Sequence, residues 1–311
     1  MRILVVGAGA IGGYFGGRLL EAKQDITFLV RPRRAAELAG LGLEIKSPMG
    51  DVTISQPATV LAEDLHETFD LILLSCKAYD LESAITSVVP AVGPDTIILP
   101  LLNGMKHLDV LARRFGPAHV LGGLCIISSV LEPGGRVVHL NKLHGLVFGE
   151  LDGSNSERVK AIASAFSGAR FESRLSDQIL QDMWEKWVFI ASCAGITCLM
   201  RATIGDIVEA GASELAITLL DECAAIAGSQ GYPPSITSMN QCRTMLTAPG
   251  SALAASMFRD IERRAPIEAD HMIGDLVRRG EGKGIASPLL HVAHAHLKTY
   301  EARRSREAAQ D

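Results

Sequence analysis

The sequence predicts an α/β domain built on a doubly wound parallel sheet, followed by an all-helical domain. The chain has 311 residues, more than the roughly 100 to 200 residues of an ordinary domain, so two domains are expected. Up to about residue 175, short β-branched runs alternate with helical stretches, which is typical of parallel β-α-β units. Beyond that point apolar residues recur at helical spacing only. We therefore expect domains at residues 1–175 and 176–311.

The predicted elements follow this division in order. Pro133-Gly134-Gly135 supplies a turn that favours antiparallel pairing of the strands on either side. The buried strands are Ile3–Val6, Ile26–Val30, Leu71–Leu74 and Thr96–Leu99, with helices near 11–22, 80–88 and 107–114 and further strands near 120–131, 136–141 and 145–151. The second domain is predicted as helices over 178–200, 206–230, 251–263, 267–280 and 286–303.

Composition and charge exclude several classes of protein. A net charge of −5 leaves no basic excess to bind nucleic acid. The apolar run Trp187–Met200 is shorter than the roughly 18 residues needed to cross a membrane, so no membrane association is expected. The six cysteines form no CxxC pair, which disfavours disulfides and structural zinc and fits a cytoplasmic location.

Six glycines lie between Gly7 and Gly17, in a stretch without charge. One interpretation is a secretory signal or membrane anchor, but the stretch is too short to span and glycine suits a signal helix poorly. Another is a glycine-rich packing turn. The favoured interpretation is dinucleotide binding in a Rossmann-type domain, because the motif lies between a predicted strand and a helix. The motif residues are Gly7, Ala8, Gly9, Ala10, Ile11 and Gly12.

The end of the second strand indicates which dinucleotide is bound. NAD-binding proteins usually place a carboxylate there for the ribose 2′-hydroxyl, whereas this strand ends in Arg31, with Arg33 and Arg34 close behind. A guanidinium forms charge-assisted bonds to a 2′-phosphate, and no acid is expected there to repel the phosphate. The pattern favours NADP(H) over NAD(H). The alternative is a solubilising surface loop.

Two polar residues follow other strands of the predicted sheet. Lys77 comes after Leu71–Ser75, and Asn103 comes after Thr96–Pro100. Because ligands bind at the carboxyl ends of such strands, both side chains are candidates to contact the cofactor or the substrate. The alternatives are a surface lysine and a turn asparagine.

Several ordered motifs together resemble the ketopantoate reductase family, the 2-dehydropantoate 2-reductases, over nearly the whole chain. The resemblance implies a Rossmann-type domain joined to a helical domain, with NADPH as hydride donor and the substrate, a small 2-oxo acid, in the cleft between them. Many family members are dimers, so a homodimer is implied. The matching segments are Gly7–Gly12, Leu29–Arg31, Cys76–Ala78, Asn103–Met105, Trp184–Lys186, Arg201–Gly205, Ser256–Asp260 and Ile267–Glu268.

The resemblance also assigns roles to individual residues. Lys186 is similar to the family's general acid, and Glu268 to the carboxylate that contacts both cofactor and substrate. Ser256 is similar to a substrate-binding hydroxyl, Ser128 falls near a backbone contact with the cofactor, and Asn103 is implied at the substrate as well as the cofactor. A positioned ammonium suits ketone reduction, because hydride transfer leaves negative charge on the oxygen. Without the resemblance, Lys186 equally fits a snorkelling lysine on a helix.

The chain departs from the family pattern at three positions. Where the family usually has asparagines four and eight residues after the lysine, this chain has Ile190 and Ala194, and Leu253 replaces another common asparagine. Each lost amide removes a hydrogen bond of roughly 0.5 to 1.5 kcal/mol net. The departures predict a substrate that is bulkier or less polar than ketopantoate.

Other functions remain open from the sequence. The chain fits an NADP-dependent 2-hydroxy acid dehydrogenase of the same fold acting in the oxidative direction, with the lysine as general base, or a non-catalytic NADP(H)-sensing regulator. A metal site at His291, His294 and His296 is disfavoured, because His296 lies well round the helix from the other two. Ser192 and Cys193 lie in no nucleophile-elbow sequence.

Overall fold

The computed structural model describes residues 1–310, and its chain divides into two compact units. The first unit comprises Met1–Leu102 and His107–Ile179. The second comprises Asn103–Lys106 and the chain from Leu180 onward. The short segment Asn103–Lys106 therefore belongs with the helices rather than with the sheet that precedes it in sequence.

The first unit contains ten strands and five α-helices. Its strands are β1 (Arg2–Val6), β2 (Asp25–Leu29), β3 (Leu43–Lys46), β4 (Val52–Ile54), β5 (Thr59–Val60), β6 (Leu71–Leu74), β7 (Ile97–Pro100), β8 (Gly122–Leu131), β9 (Val137–Gly149) and β10 (Glu172–Leu175). Its helices are α1 (Ala10–Glu21), α2 (Pro32–Leu41), α3 (Leu81–Val88), α4 (Lys106–Phe115, whose first residue belongs to the second unit) and α5 (Glu157–Phe166).

Five of these strands form a parallel sheet in the order β5-β2-β1-β6-β7. Its central strands are almost entirely buried, as expected for a parallel sheet. Because β1 lies between β2 and β6, the segments that follow these three strands lie at the same edge of the sheet. The predicted α/β architecture is confirmed. The candidate cofactor residues of the first unit lie at this edge.

The remaining strands form a second sheet in the order β10-β9-β3-β4, with β8 paired to β9. β8 and β9 are antiparallel around the turn at Pro133-Gly134-Gly135, as predicted. The register shifts between Ile127 and Ser129, so Ser128 lies at an irregularity of the ladder. Six elements were not predicted from the sequence: β3, β4, β5, β10, α2 and α5.

Helix α2 escaped prediction because its apolar periodicity is weak. Of its ten residues only Leu38 is buried, and the remainder are mostly charged or small. The helix starts with Pro32 at its first position, where a proline costs no hydrogen bond. Arg31 is its N-cap, so the arginines after β2 lie on a helix rather than on a loop.

Two glycines of α1 let this helix approach both sheets closely. A Cβ on Gly16 would lie 2.7 Å from Phe28 Cε1 of β2, and one on Gly17 would lie 2.5 Å from Ile45 Cδ1 of β3. Any larger residue would push the helix away from the core. Gly16 and Gly17 therefore allow close packing of the helix against both sheets.

Helices are the only regular secondary structure among the described residues of the second unit, as predicted. A π-helical turn over Asp270–Gly274 directly precedes α11, and no helix within residues 1–310 is long and apolar enough to cross a membrane. The helices are α6 (Ile179–Met200), α7 (Ile204–Glu209), α8 (Ser213–Ser229), α9 (Ile236–Leu246), α10 (Ser256–Glu262), α11 (Asp275–Glu281) and α12 (Pro288–Ala308). Helix α9 lies outside the predicted helical stretches.

A buried polar cluster in the first unit links α1 to β9. The Tyr14 hydroxyl lies 2.8 Å from His144 Nδ1, and the His139 ring stacks on His144 at 5.7 Å between ring centroids. Burial, and then the charge of His139, lowers the pKa of His144. His144 is therefore neutral in the folded protein near neutral pH.

This lowered pKa predicts a pH dependence of stability. The unfolded chain binds a proton at His144 below about pH 6.5, whereas the folded protein resists it. Stability is thus fully present above that pH and is lost as the pH falls through the lowered pKa. We expect His144→Gln to lose less free energy of unfolding than the wild type between about pH 8 and about pH 5, measured by urea denaturation. The exposed His66, changed to Gln, is the control and should follow the wild type. Equal losses in His144→Gln and wild type would contradict the assignment.

Candidate active site

The glycine-rich loop connects β1 to α1 in one fixed conformation. Gly7 has φ of +91°, and its N–H donates to the Leu29 carbonyl oxygen at 2.9 Å. A Cβ on Gly12 would lie 2.0 Å from the Gly7 carbonyl oxygen, whereas nothing lies within 4 Å of a Cβ on Gly9. Gly9 caps α1 with no side-chain hydrogen bond, and the first turn contains no acid. The free N–H groups at this helix start favour an anion.

Three side chains hold the loop from outside it. Ser75 Oγ donates to the Val6 carbonyl oxygen at 2.8 Å and also reaches that of Gly7 at 3.2 Å. Ser129 Oγ donates to the carbonyl oxygen of Ala10 at 3.1 Å, and Arg34 Nε to that of Ala8 at 3.0 Å. Sequence reasoning missed Ser75 and Ser129, since their contacts link residues more than 65 positions apart. The predicted contact Ser128 is the neighbour of Ser129.

The arginines that follow β2 have different partners. Arg34 binds Glu37 at 3.0 Å as well as the loop, and Arg33 binds Glu37 at 3.1 Å. Arg31 remains 70% exposed, and its Nη2 donates to Asp80 Oδ1 at 2.6 Å. The hydrogen bond to Asp80 raises the pKa of Arg31. The expectation that no acid lies beside Arg31 is therefore wrong, because the fold brings Asp80 to it from a distant part of the chain.

Lys77 is half-buried after β6, at the same edge of the sheet. It is the N-cap of a 3-10 turn, Ala78–Asp80, and its carbonyl oxygen accepts from the Asp80 N–H at 2.9 Å. The first unit thus brings the glycine-rich loop, Arg31 and Lys77 together at the carboxyl ends of β1, β2 and β6. Their roles toward a cofactor stay predictions.

In the second unit, Lys186 and Asn103 are in direct contact. Lys186 Nζ on α6 donates to Asn103 Oδ1 at 2.8 Å, although 83 positions separate the two residues. Gly104 has φ of +77°, and a Cβ there would lie 3.2 Å from the His271 ring. Glycine therefore lets the Asn103 backbone lie against His271, whose imidazole N–H donates to the Asn103 carbonyl oxygen.

The π-helical turn contacts both Asn103 and Trp187, the residue that follows Lys186. Trp187, the next residue of α6, donates from Nε1 to the Met272 carbonyl oxygen at 2.9 Å, and Met272 follows His271. A π-helical turn widens the helix and often marks a functional segment. Burial lowers the pKa of His271, opposed by the charge of Glu268. His271 was not predicted from the sequence, because a single histidine inside an apolar helical stretch gives no sign of its partners.

Glu268 and Ser256 lie on separate elements of the second unit. Glu268 is half-buried, one turn before Met272, whose N–H donates to the Glu268 carbonyl oxygen at 2.9 Å. Ser256 is exposed at the first position of α10. The preceding Ala255 donates its N–H to Thr197 Oγ1 of α6 at 3.3 Å, which ties this start to the helix of Lys186.

The three departures from the family pattern also have defined positions. Ile190 is half-buried and Ala194 is buried, one and two turns after Lys186 on α6. Leu253 is half-buried, and its carbonyl oxygen accepts from the Ile204 N–H at 2.9 Å. None of these side chains carries a hydrogen-bonding group, so this part of α6 and the segment before α10 are less polar than the family pattern.

Two of the three histidines of α12 have acidic partners from other segments. His291 Nε2 lies 3.1 Å from Glu281 Oε1, and His294 Nε2 lies 3.1 Å from Asp270 Oδ1. No group of three or more metal-ligating side chains occurs within residues 1–310. Burial raises the pKa of Cys193 to about 12, which keeps this thiol protonated and unsuited to nucleophilic attack.

The fold, with a Rossmann-like domain and a helical domain, and the comparisons with known proteins together define a class of protein: a nicotinamide-dependent oxidoreductase that interconverts CH–OH and C=O groups. Family models narrow the class. Residues 3–153 match the model described as ketopantoate reductase PanE/ApbA, and residues 178–301 match its C-terminal model. The chain belongs to the ketopantoate reductase family.

Individual relatives agree with this assignment. The chain is 39% identical over 306 residues to the uncharacterized oxidoreductase YkpB of Bacillus subtilis, covering 98% of this chain and 100% of that protein. A 2-dehydropantoate 2-reductase of Geobacter metallireducens superposes with a TM-score of 0.89 at 27% identity, over 96% and 99% of the two chains. A complex of D-mandelate dehydrogenase with NADH and anilino(oxo)acetate shares the fold, with a TM-score of 0.87 at 21% identity over 98% and 100%.

Proposed function

We propose that this protein is an NADPH-dependent reductase that transfers hydride to the ketone of a 2-oxo acid such as 2-dehydropantoate, giving the 2-hydroxy acid. The observation that carries the proposal is the 2.8 Å hydrogen bond from Lys186 Nζ to Asn103 Oδ1. It holds a proton donor in a defined position within a family of ketone reductases. A surface lysine has no need of such a partner.

The glycine-rich loop fits a dinucleotide. The position of a Cβ on Gly9 is open, and the first-turn N–H groups of α1 face no acid from their own helix. We assign cofactor binding to Gly7, Ala8, Gly9, Ala10, Ile11 and Gly12, with Arg31, Lys77, Asn103, Ser128 and Glu268. Arg31 supports NADPH over NADH, because a guanidinium matches a 2′-phosphate. A reduced nicotinamide supplies the hydride when it is bound.

Lys186 and its neighbours carry the proton chemistry. As the ketone carbon gains hydride, its oxygen becomes an alkoxide, which the Lys186 ammonium stabilises and then protonates. Asn103 orients the ammonium, His271 holds the Asn103 backbone, and Trp187 anchors the helix of Lys186 to the π-helical turn. Ser256 and Asn103 bind the substrate together with Lys186. Glu268 contacts both the cofactor and the substrate. In the reverse direction, the neutral lysine accepts the proton.

The substrate we propose is less polar than ketopantoate. Ile190, Ala194 and Leu253 offer no side-chain hydrogen bonds, so a substrate hydroxyl buried against them would lose its partners. This apolar character also fits a second candidate, an NADP-dependent 2-hydroxy acid dehydrogenase that works in the oxidative direction on a less polar substrate. The Lys186–Asn103 contact opposes a third, a regulator that senses NADP(H) without catalysis.

We further propose domain limits, an assembly state and a location. Residues 1–175 form the cofactor domain and residues 176–311 the substrate and dimerisation domain of a cytoplasmic homodimer. None of the six cysteines, all within the described residues, forms a disulfide, which supports a reducing compartment. The dimer follows from the family resemblance.

Steady-state kinetics with a panel of 2-oxo acids and both reduced cofactors tests the function. We expect turnover with NADPH and a higher kcat/KM for bulky apolar 2-oxo acids than for ketopantoate. Ketopantoate as the best substrate would contradict the proposed pocket but not the reductase. Faster oxidation of the matching 2-hydroxy acids with NADP⁺ would favour the dehydrogenase. Binding of NADPH with no turnover of any panel member would favour the sensor.

A further inference from the structure

Asp80 is the acid that the fold places beside Arg31. It ends the 3-10 turn after β6 and precedes α3, and its N–H is bonded to the Lys77 carbonyl oxygen. Its carboxylate accepts from Arg31 Nη2 at 2.6 Å across 49 positions of sequence. Asp80 makes no side-chain capping bond to α3. Its carboxylate is therefore committed to Arg31 rather than to the helix that it precedes.

The sheet order explains why these two residues meet. β2 and β6 lie on either side of β1 and run parallel to it, so Arg31 and Asp80 both follow strands at the edge where the glycine-rich loop lies. In dinucleotide-binding folds an acid at this edge accepts from the ribose 2′-hydroxyl, whereas an arginine there binds a 2′-phosphate. This protein places both kinds of residue in contact.

The two side chains favour opposite cofactors. Arg31 keeps most of its five N–H donors for a ligand, but the carboxylate neutralises much of its charge. A 2′-phosphate carrying about two negative charges is attracted to Arg31 and repelled by Asp80. A 2′-hydroxyl has no such conflict and can donate to the carboxylate. The other arginines do not compensate fully, since Arg33 and Arg34 share Glu37.

We propose that Asp80 is a specificity-determining residue of the cofactor site, which reduces the preference for NADPH over NADH by competing with the 2′-phosphate for Arg31. This inference rests on the proposed function, because it assumes that Arg31 faces the adenosine ribose. It refines that proposal: the protein uses both cofactors, and the balance between them depends on the Arg31–Asp80 pair.

Dissociation constants for NADPH and NADH, measured by titration of intrinsic fluorescence, test the inference. We expect Asp80→Asn to bind NADPH about tenfold more tightly relative to NADH than the wild type does, since a neutral amide competes much less with the phosphate for the Arg31 guanidinium. In the Arg31→Ala variant, Asp80→Asn should change the ratio of the NADPH and NADH dissociation constants much less, because there is no guanidinium for which Asp80 and the phosphate compete. 2′,5′-ADP and 5′-AMP serve as probes of the adenosine half alone and should show the same pattern.

A control variant and a folding check separate failure of the Asp80 proposal from failure of the proposed function. Glu82 is an exposed carboxylate two residues away, so Glu82→Gln removes the same charge and should leave the cofactor ratio near that of the wild type. Thermal melting checks that each variant folds. A ratio unchanged by Asp80→Asn, or changed equally by Glu82→Gln, overturns the role of Asp80 while leaving the reductase intact. Failure of the wild type to bind either dinucleotide overturns both proposals.

Discussion

Replacement of Lys186 with alanine is expected to lower kcat by about 100- to 10,000-fold while the dissociation constant for NADPH stays near that of the wild type. The alkoxide that forms on hydride transfer loses its proton donor and its nearest positive charge. Asn103 Oδ1 also loses its ammonium partner, but the fold retains the contacts of Trp187 and His271. Single-turnover kinetics with the best 2-oxo acid of the panel gives the measurement.

The control is another lysine of the same unit. Lys283 is exposed in the segment between α11 and α12, and Lys283→Ala should keep wild-type kinetics. Lys186→Arg helps to separate charge from proton transfer. An arginine keeps the positive charge but does not release a proton, so we expect only a small part of the activity to return. Full activity in Lys186→Ala would show that this lysine is not the general acid.

Replacement of Gly12 with alanine is expected to abolish tight cofactor binding and to lower stability by about 3 kcal/mol or more. The new Cβ would lie 2.0 Å from the Gly7 carbonyl oxygen and 2.2 Å from Ser75 Oγ. The first of these atoms is backbone, so the glycine-rich loop must move to relieve the clash. Urea denaturation gives the loss of stability, and titration with NADPH gives the loss of affinity.

Gly9→Ala separates the cofactor from the fold. Nothing lies within 4 Å of a Cβ on Gly9, so this variant should keep wild-type stability. It should still lose much of its NADPH affinity, because the Cβ takes the space that the pyrophosphate needs near the backbone. Gly40→Ala, at an exposed position of α2 with no neighbour within 4 Å, should bind NADPH like the wild type. Unchanged affinity in Gly9→Ala would place the dinucleotide elsewhere.

The fold was predictable where burial leaves a periodic signal. Strands such as Leu71–Leu74 are buried on both sides, so they appear as continuous apolar runs, and the long helix Ile179–Met200 is almost as apolar. Some elements that bury few side chains were not predicted. Helix Pro32–Leu41 buries only Leu38, and the two-residue strand Thr59–Val60 is too short to show any period. Apolar periodicity reports burial, and these elements bury little.

Among the candidate site residues, the sequence indicated the types but not the partners. Asn103 and Lys186 were both candidates, yet no spacing in the chain shows that one donates to the other. Ser75, Ser129 and His271 were missed because each acts through a contact with distant backbone. Such contacts carry no periodicity and match no local motif.

The sequence by itself determined that a glycine-rich loop joins a buried strand to a helix, that an arginine closely follows the next strand, and that helices follow. These features are local, since turns, strands and helices depend on residues a few positions apart. Only the tertiary structure decided that Asp80 binds Arg31, that Lys186 donates to Asn103 and that Asn103 lies against His271. The reason is physical: sheet order and helix packing bring together side chains that are far apart in the chain, and the charge balance of a site depends on those neighbours.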